Sequence, residues 1–483
     1  MKNFYLKPKL FSVLKNYTKD QFVKDVVAGI IVAIIALPLS IALALASGVE
    51  PACGVYTAIF AGFMVSFLGG SRVQIAGPTA AFATVVAGIV ATQGMDGLII
   101  ATILAGAFLI LMGVFKLGSL IKFIPYTITT GFTAGIAVTI FIGQIKDFLG
   151  LQYASGVKPI ETIEKIEANI EAIGTFSWQA LLVGAVSLAI LIVYPKFEKK
   201  VPPSLIAVIV GALMVKFIPG LDNGVFTIGE LYTIPSGFPQ FALTNMEFSF
   251  AKVSAVLPDA FTIAILAAIE SLLSCVVADS MVNSRHNSNA ELVAQGVGNI
   301  ASVLFGGIPA TGAIARTAAN AKNGGRTPIA GMVHAVVLLL VLLFLMPLAG
   351  LIPMPTIAAI LFMVAYNMSE YKKFIKTVKT APKSDIVVMV ITFGLTVIFD
   401  LVVAIEVGMI LAAMLFMKRM SEETTVKGWE YTENDTDSID LKSVPKNVRV
   451  YEISGPLFFG AADKILDITF KEYTSCLVLR MRA

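Results

Sequence analysis

Long apolar runs, separated by short polar or glycine-rich connections, recur along almost the whole chain. They fall at residues 24–46, 52–69, 73–92, 97–115, 124–148, 177–195, 202–218, 256–280, 289–305, 308–322, 327–348, 355–369, 384–400 and 401–418. Such runs predict helices that cross a bilayer, whose hydrocarbon core takes about 20 apolar residues to span.

Two of the fourteen are interrupted. In residues 304–328 the chain breaks at Gly306, Gly307 and Pro309, restarts as a short helix-forming run over about 312–321, and stops again at Gly324, Gly325 and Pro328. Residues 67–94 repeat the plan, with Gly69-Gly70, a short extended piece and a helix expected to open at Gly77-Pro78. A half-length helix leaves backbone groups that only protein or water can satisfy, and paired interrupted spans point to the binding site of a transporter.

Composition agrees. Of the 483 residues, 57% are hydrophobic and 14% charged, and the mean hydropathy is +0.84, so the expectation is an all-α polytopic membrane protein. The first 24 residues are polar and lysine-rich and predict no cleaved signal peptide. Cys53, Cys275 and Cys476 are scattered and odd in number, which predicts free thiols rather than a disulfide framework or a metal cluster. With the N-terminus placed in the cytoplasm, fourteen Lys or Arg fall on the inner connections: Arg72, Lys116, Lys122, Lys196, Lys199, Lys200, Arg285, Lys322, Arg326, Lys372, Lys373, Lys376, Lys379 and Lys383. Five, Lys146, Lys158, Lys165, Lys216 and Lys252, fall outside. That asymmetry predicts a cell (inner) membrane protein with both termini cytoplasmic.

The first seven segments and the next seven share an order: two full spans, one broken span, and later a span opening at Ile124-Pro125 or Ile352-Pro353. Seven is odd, so the second half must run opposite to the first, and the two half-helices can meet N-terminus to N-terminus at mid-bilayer. The expected organisation is a cytoplasmic segment 1–23, a transport domain 24–420 (repeats about 24–218 and 256–420), a polar linker 421–443, and residues 444–483. In the last of these, 446–460 and 476–480 read as strands of an incomplete α/β domain. The outer loops predict a surface helix in 158–173 and an aromatic cap in 219–250.

Few side chains could carry chemistry. Two helix N-termini facing one point make an anion site without metal or cofactor. Arg316 adds a full charge about one turn into the second half-helix; it could face the anion, snorkel, or pair with Glu270. Thr79, Thr311 and Thr317 could donate hydroxyls or bond their own backbone. Glu270 lies mid-span and is either neutral or paired with a cation, and Ser274 shares its face one turn on. Either state suits ion coupling. Asp279, Glu291, Asp400 and Glu406 lie near span ends and read as structural, His334 as a hydrogen-bonded core group, and Pro38 as a kink. Neither a nucleophile–base pair nor a metal-ligand cluster is visible, which argues against an enzyme.

The runs LPLSIALALASGVEPACGVYTAIFAG, GGSRVQIAGPTAA, ATGAIARTAANAKNGGRTPIAG, VAYNMSEYKKF and RVYEISGPLFFGAADK together resemble the SulP family of sulfate permeases and solute-carrier anion transporters. The resemblance implies fourteen segments in two inverted seven-segment repeats, divided into core and gate domains as in the uracil-permease-like fold. It implies an anion held between segments 3 and 10, by Gly77, Thr79 and Ala80 on one side and Thr311, Gly312, Ala313 and Arg316 on the other, with Arg316 facing the pocket. It also implies a coupling carboxylate at Glu270, a cytoplasmic STAS domain of which only the opening is present, and a likeness to homodimers. Relatives that couple to Na⁺ carry Asp with Thr one turn later on segment 8, and Gly-Ala-Thr on segment 10. Glu270 with Ser274, and Gly312-Ala313-Ile314, depart from that pattern and shift the expectation to proton coupling. The expected partners are a small inorganic or carboxylate anion, a proton in preference to Na⁺, and the lipid bilayer, without nucleic acid. On this reading deprotonated Glu270 pairs with Arg316 to favour release.

Overall fold

The computed structural model describes residues 6–119, 125–157, 159–198, 201–234, 237–242, 250–399, 401–423, 425–428, 447–455 and 474–481. Its helices are α1 (Lys9–Val13), α2 (Lys19–Ala46), α3 (Pro51–Leu68), α4 (Ala81–Val114), α5 (Tyr126–Leu149), α6 (Thr162–Glu171), α7 (Trp178–Phe197), α8 (Pro203–Phe217), α9 (Ile228–Leu231), α10 (Phe250–Ala255) and α11 (Leu257–Val282). They continue as α12 (Ser288–Leu304), α13 (Ile314–Lys322), α14 (Ile329–Phe344), α15 (Met346–Ala349), α16 (Met354–Ser369), α17 (Tyr371–Thr380), α18 (Lys383–Ile398) and α19 (Leu401–Glu423). Each apolar run of the sequence holds a helix, its ends shifted by a turn or so, except that in the two interrupted runs, 73–92 and 308–322, the helix opens only at Ala81 and Ile314. Segments 3 and 4 share α4, which breaks at Gly94, where φ is +70° and ψ −175°, a conformation that a residue with a Cβ adopts only under strain.

Among the described residues six helices, α2, α3, α4, α5, α7 and α11, are long and apolar enough to cross a membrane by length and composition. Two further apolar helices, α8 and α14, are shorter. The helix α2 runs through Pro38 without interruption.

Proximity of their backbones sorts the helices into two groups. In one, α12 lies against α3 and α4, α14 against α2 and α3, and α11 against α4; in the other, α5 lies against α16 and α18, α7 against α16 and α8, and α18 against α19. Small residues let the backbones meet. A Cβ on Gly106 of α4 would stand 2.7 Å from the carbonyl of Gly296 on α12, and one on Gly296 2.4 Å from that of Gly106, so the two helices cross in direct van der Waals contact.

In the two long loops the capping box of Glu161 and Glu164 starts α6 within the expected 158–173 helix, and Phe238 and Phe241, 59% and 48% exposed, meet Phe305 edge-on at 6.2 and 6.0 Å. Two regions differ. The lysine run after α16 forms a separate helix, α17, set off by Glu370 in the left-handed region (φ 38°, ψ 39°) and by Pro382. The expected linker holds a strand, β3 (Thr425–Gly428), which pairs antiparallel with β4 (Val448–Ser454); β4 pairs parallel with β5 (Cys476–Arg480). Asp400, most of the linker and residues 456–473 of the C-terminal region lie outside the described residues.

Candidate functional site

The two interrupted segments cross through a pair of two-residue strands, β1 (Ala76–Gly77) and β2 (Thr311–Gly312), antiparallel, with Ala76 opposite Gly312 and Gly77 opposite Thr311. Extended backbone inside a helical bundle must be satisfied locally, and buried polar side chains do this on both approaches. Before Ala76, Glu291 on α12 accepts the backbone N–H groups of Gly70 (2.8 Å) and Ser71 (3.1 Å) and the amide of Gln74 (2.9 Å). Gln74 also donates to Ser271 (2.9 Å) and accepts from the Cys275 thiol (2.8 Å). Before Thr311, Thr57 accepts the N–H of Ile308 (2.7 Å), while Asn299 accepts from and donates to the backbone of Ala310, both at 2.8 Å.

Helices follow at once, later than the sequence suggests: α4 opens at Ala81 rather than at Gly77-Pro78, and α13 at Ile314 rather than at 312. The reason is the ladder, which holds Gly77, Thr311 and Gly312 extended. Because the strands are antiparallel, the helices that follow leave the crossing in opposite directions, with both N-termini at the crossing. Neither N-cap, Ala80 or Ala313, supplies a capping side chain; in α4 the N–H groups of Phe82 and Ala83 turn back to the carbonyls of Thr79 (3.2 Å) and Ala80 (3.1 Å), and the remaining first-turn N–H groups of the two helices are left for another acceptor.

Around this crossing the side chains divide into two layers. On the accessible side are Thr79 and Glu270, both half-buried, with Ile314 (44% exposed) and Ala315. The hydroxyl of Thr79 donates to Oε2 of Glu270 at 3.0 Å. Behind them the structure is closed. Thr311 donates to the carbonyl of Ala267 on α11 (3.1 Å). Ser274 donates to Thr317 Oγ1 (3.3 Å), which also accepts the N–H of Ile75 (3.0 Å). The N–H of Ala313 donates to the carbonyl of Ile75 (2.8 Å).

Arg316 belongs to the closed layer, which departs from the expected pocket-facing position. It is 1% exposed and its Nη2 donates to the carbonyl of Pro78 at 2.8 Å. A Cβ on Gly77 would lie 2.3 Å from its Nη1, so the guanidinium rests on the bare backbone of β1. On α13 the exposed face holds residues 314 and 315, and one 100° step turns 316 inward. Nε and Nη1 have no hydrogen-bond partner among the described residues. No Glu270–Arg316 ion pair is present at 4.0 Å or less; Glu270 is bonded to Thr79 instead. His334 is buried nearby against Gly62, and neither ring nitrogen has a partner among the described residues, contrary to the expected hydrogen-bonded core role.

Several residues that shape the site escape a sequence reading. Asp25, fully buried, accepts from Tyr17 (2.9 Å), Gln21 (2.9 Å), the hydroxyl of Thr327 and the backbone N–H groups of Arg326 (2.8 Å) and Thr327 (3.3 Å). It thereby ties α2 to the exit of α13. Gln74, Asn299 and Asn320 act likewise. Their one sequence signal is a polar residue set among apolar or small neighbours. A cavity of about 380 Å³ lies between the two packing groups, lined among others by Thr84 and Gly88 of α4, Thr139 of α5, Glu161, Asp259 and Thr396. Among the described residues no cluster of three or more His, Cys, Asp or Glu side chains could hold a metal ion.

A profile of the sulfate permease family matches residues 22–392. YvdB of Bacillus subtilis (strain 168), whose name assigns it provisionally to sulfate transport, is 44% identical over 93% of this chain and 83% of its own length. The bicarbonate transporter BicA of Picosynechococcus sp. is 34% identical over 91% of this chain and 79% of its own. The solved transmembrane domain of a cyanobacterial BicA superposes with a TM-score of 0.70 at 30% identity, covering 80% of this chain and 98% of that one. The murine anion transporter Slc26a9 in its inward-facing state gives 0.86 at 17% identity over 99% and 84%, and so shares the fold.

Proposed function

The chain belongs to the sulfate permease family of membrane anion transporters, which are not enzymes, and from that premise we propose that it is a proton-coupled symporter of a small oxyanion. The observation that carries this reading is the Thr79–Glu270 hydrogen bond at the start of α4. A carboxylate and an oxyanion at one helix N-terminus compete for the same donors and repel each other at close range. Protonation of Glu270 removes that competition. The anion then takes the donors of Thr79 and of the first turns of α4 and α13, with the buried charge of Arg316 behind β1 adding to the attraction. Loss of the proton returns Thr79 to the carboxylate and favours release. The expected Glu270–Arg316 pairing is thus replaced by Glu270–Thr79 pairing.

Proton rather than Na⁺ coupling is supported by the side chains a cation would meet: Ile314 offers no oxygen, and the hydroxyls of Ser274 and Thr311 lie in the closed layer, both 0% exposed. Sulfate is the leading substrate, from the 44% identity to YvdB. Bicarbonate follows from BicA, and helix N-termini separate these anions poorly.

The same reading takes the α2–α4 and α11–α14 group as a core domain that slides as an elevator against the gate group of α5, α7, α8, α16, α18 and α19. The repeat is supported by matched packing, since α2 meets α14 as α11 meets α4, and α5 meets α18 as α16 meets α7. Fourteen inverted-repeat segments in an inner membrane, cytoplasmic termini, a STAS-like unit around β3–β5 and a homodimer complete the proposal.

The test is uptake of labelled sulfate, bicarbonate and fumarate into proteoliposomes under an inward proton gradient or, separately, an inward Na⁺ gradient. Accumulation of one anion driven by protons alone is expected. Accumulation driven only by Na⁺ would overturn the coupling, and large ohmic currents would indicate a channel.

A further inference from the structure

The helix α17, YKKFIKTVKT, has no assigned role and is unlike its neighbours. Spaced at 100° per residue, Tyr371, Phe374, Ile375 and Val378 fall on one face and Lys372, Lys373, Lys376 and Lys379 on the opposite one. None of its residues is buried: Ile375 is 48% and Val378 40% exposed. Phe374 packs its ring 5.6 Å from that of Phe393 on α18, and α17 also borders α5. Chain breaks at Glu370 and Pro382 turn α17 away from α16 and α18. Tyr366 and Tyr371 meet at 5.8 Å beside it and, like Tyr126, are exposed. Tyrosines, an apolar edge and a row of lysines are the composition of a helix lying in the membrane–water boundary.

Charge decides the occupant. The helix carries no acidic residue, Lys373 is paired with Glu370 one turn back, and among the described residues Lys376 and Lys379 make no ion pair. We propose that α17 is a docking surface for anionic phospholipid, its apolar edge in the acyl border and Lys372, Lys376 and Lys379 on the lipid phosphates. The proposal requires only that α16 and α18 cross the membrane. A zwitterionic lipid carries an ammonium that offsets its phosphate, so the surface should discriminate by net headgroup charge, and the attraction should fall as salt shortens the screening length from about 10 Å at 0.1 M to 3 Å at 1 M.

The experiment uses the full chain with the exposed cysteine removed (Cys476→Ser) and Val378→Cys carrying an environment-sensitive fluorophore. In detergent micelles, phosphatidylglycerol is titrated in and compared with phosphatidylcholine. A saturable blue shift with phosphatidylglycerol, absent with phosphatidylcholine, is expected. Substituting Lys372, Lys376 and Lys379 by Gln should raise the half-saturating mole fraction by about tenfold or more, as should 1 M salt. These lysines are surface residues, so the variant should fold, which its unchanged melting curve would show. Equal responses to the two lipids, or indifference to the lysines, would overturn the proposal. So would a blue shift already complete without lipid and lost when the acidic 429–446 segment is deleted, since the occupant would then be this chain itself.

Discussion

Thr79 and Glu270, 191 positions apart in the chain, are joined by a 3.0 Å hydrogen bond at the start of α4. The bond puts the half-buried carboxylate of Glu270 in contact with the helix start that an anion would use. Coupling therefore reduces to a contest for one hydroxyl. Glu270→Gln should abolish proton-driven uptake while sparing anion exchange, because the amide stays neutral at every pH. Thr79→Val removes the donor that both rivals use, and should lower uptake by about tenfold or more, the worth of a hydrogen bond to a charged group. Flux assays with and without a pH gradient measure both; coupled uptake intact in Glu270→Gln would refute the assignment.

Gly77 and Arg316 form the second dependent pair. A methyl group on Gly77 would meet Nη1 of Arg316 at 2.3 Å, so Gly77→Ala must displace a buried guanidinium from the carbonyl of Pro78. A loss of about 1–3 kcal/mol is expected, read as a lower melting temperature in detergent. Combining Gly77→Ala with Arg316→Ala should cost less than the sum of the two single changes, since the clash disappears with the side chain.

Asp25 is a buried carboxyl group that makes no ion pair among the described residues and is held by hydrogen bonds, two of them from the backbone of Arg326 and Thr327. Asp25→Ala should destabilise the protein by about 3 kcal/mol or more, by leaving those donors unpaired inside the bundle. Hydrogen exchange should report the damage at residues 323–328 first. Unchanged exchange there would show that the tie is not needed.

The helix α6 should respond to acid. The backbone N–H groups of Ile160 and Glu161 bond to Glu164 and hold its carboxyl below the usual glutamate value of 4.5. A depressed value means that the stabilisation is full above 4.5 and lost as the pH falls through the lower, folded-state value. Exchange at the amides of Ile160 and Glu161 should therefore quicken relative to the rest of α6 on acidification. In Glu164→Gln it should show no such dependence, and an equal dependence in that variant would point elsewhere.

The positions of the helices were legible in the sequence because burial in hydrocarbon is a local demand, met residue by residue along each apolar run. The two interruptions were legible for the same reason, since glycine and proline act on their own backbone. Glu270 and Arg316 stood out as charges in apolar surroundings. Their partners did not. Whether Arg316 faces the anion or the core turns on one 100° step along a nine-residue helix, and that rotation is set by the β1–β2 ladder and the bare backbone of Gly77, which are contacts between segments far apart in the chain. The tie from Asp25 and the clasp of Glu291 on Gly70, Ser71 and Gln74 were invisible likewise, since a polar residue in an apolar run announces only that it needs a partner. The lysine run of α17 could be counted as charge, but its helical face became apparent only where the chain turns at Glu370 and Pro382. Hydropathy and backbone chemistry are properties of a sequence window and so determine the elements. Hydrogen bonding inside the bundle is a property of distant segments brought into contact, and only the tertiary structure decides it.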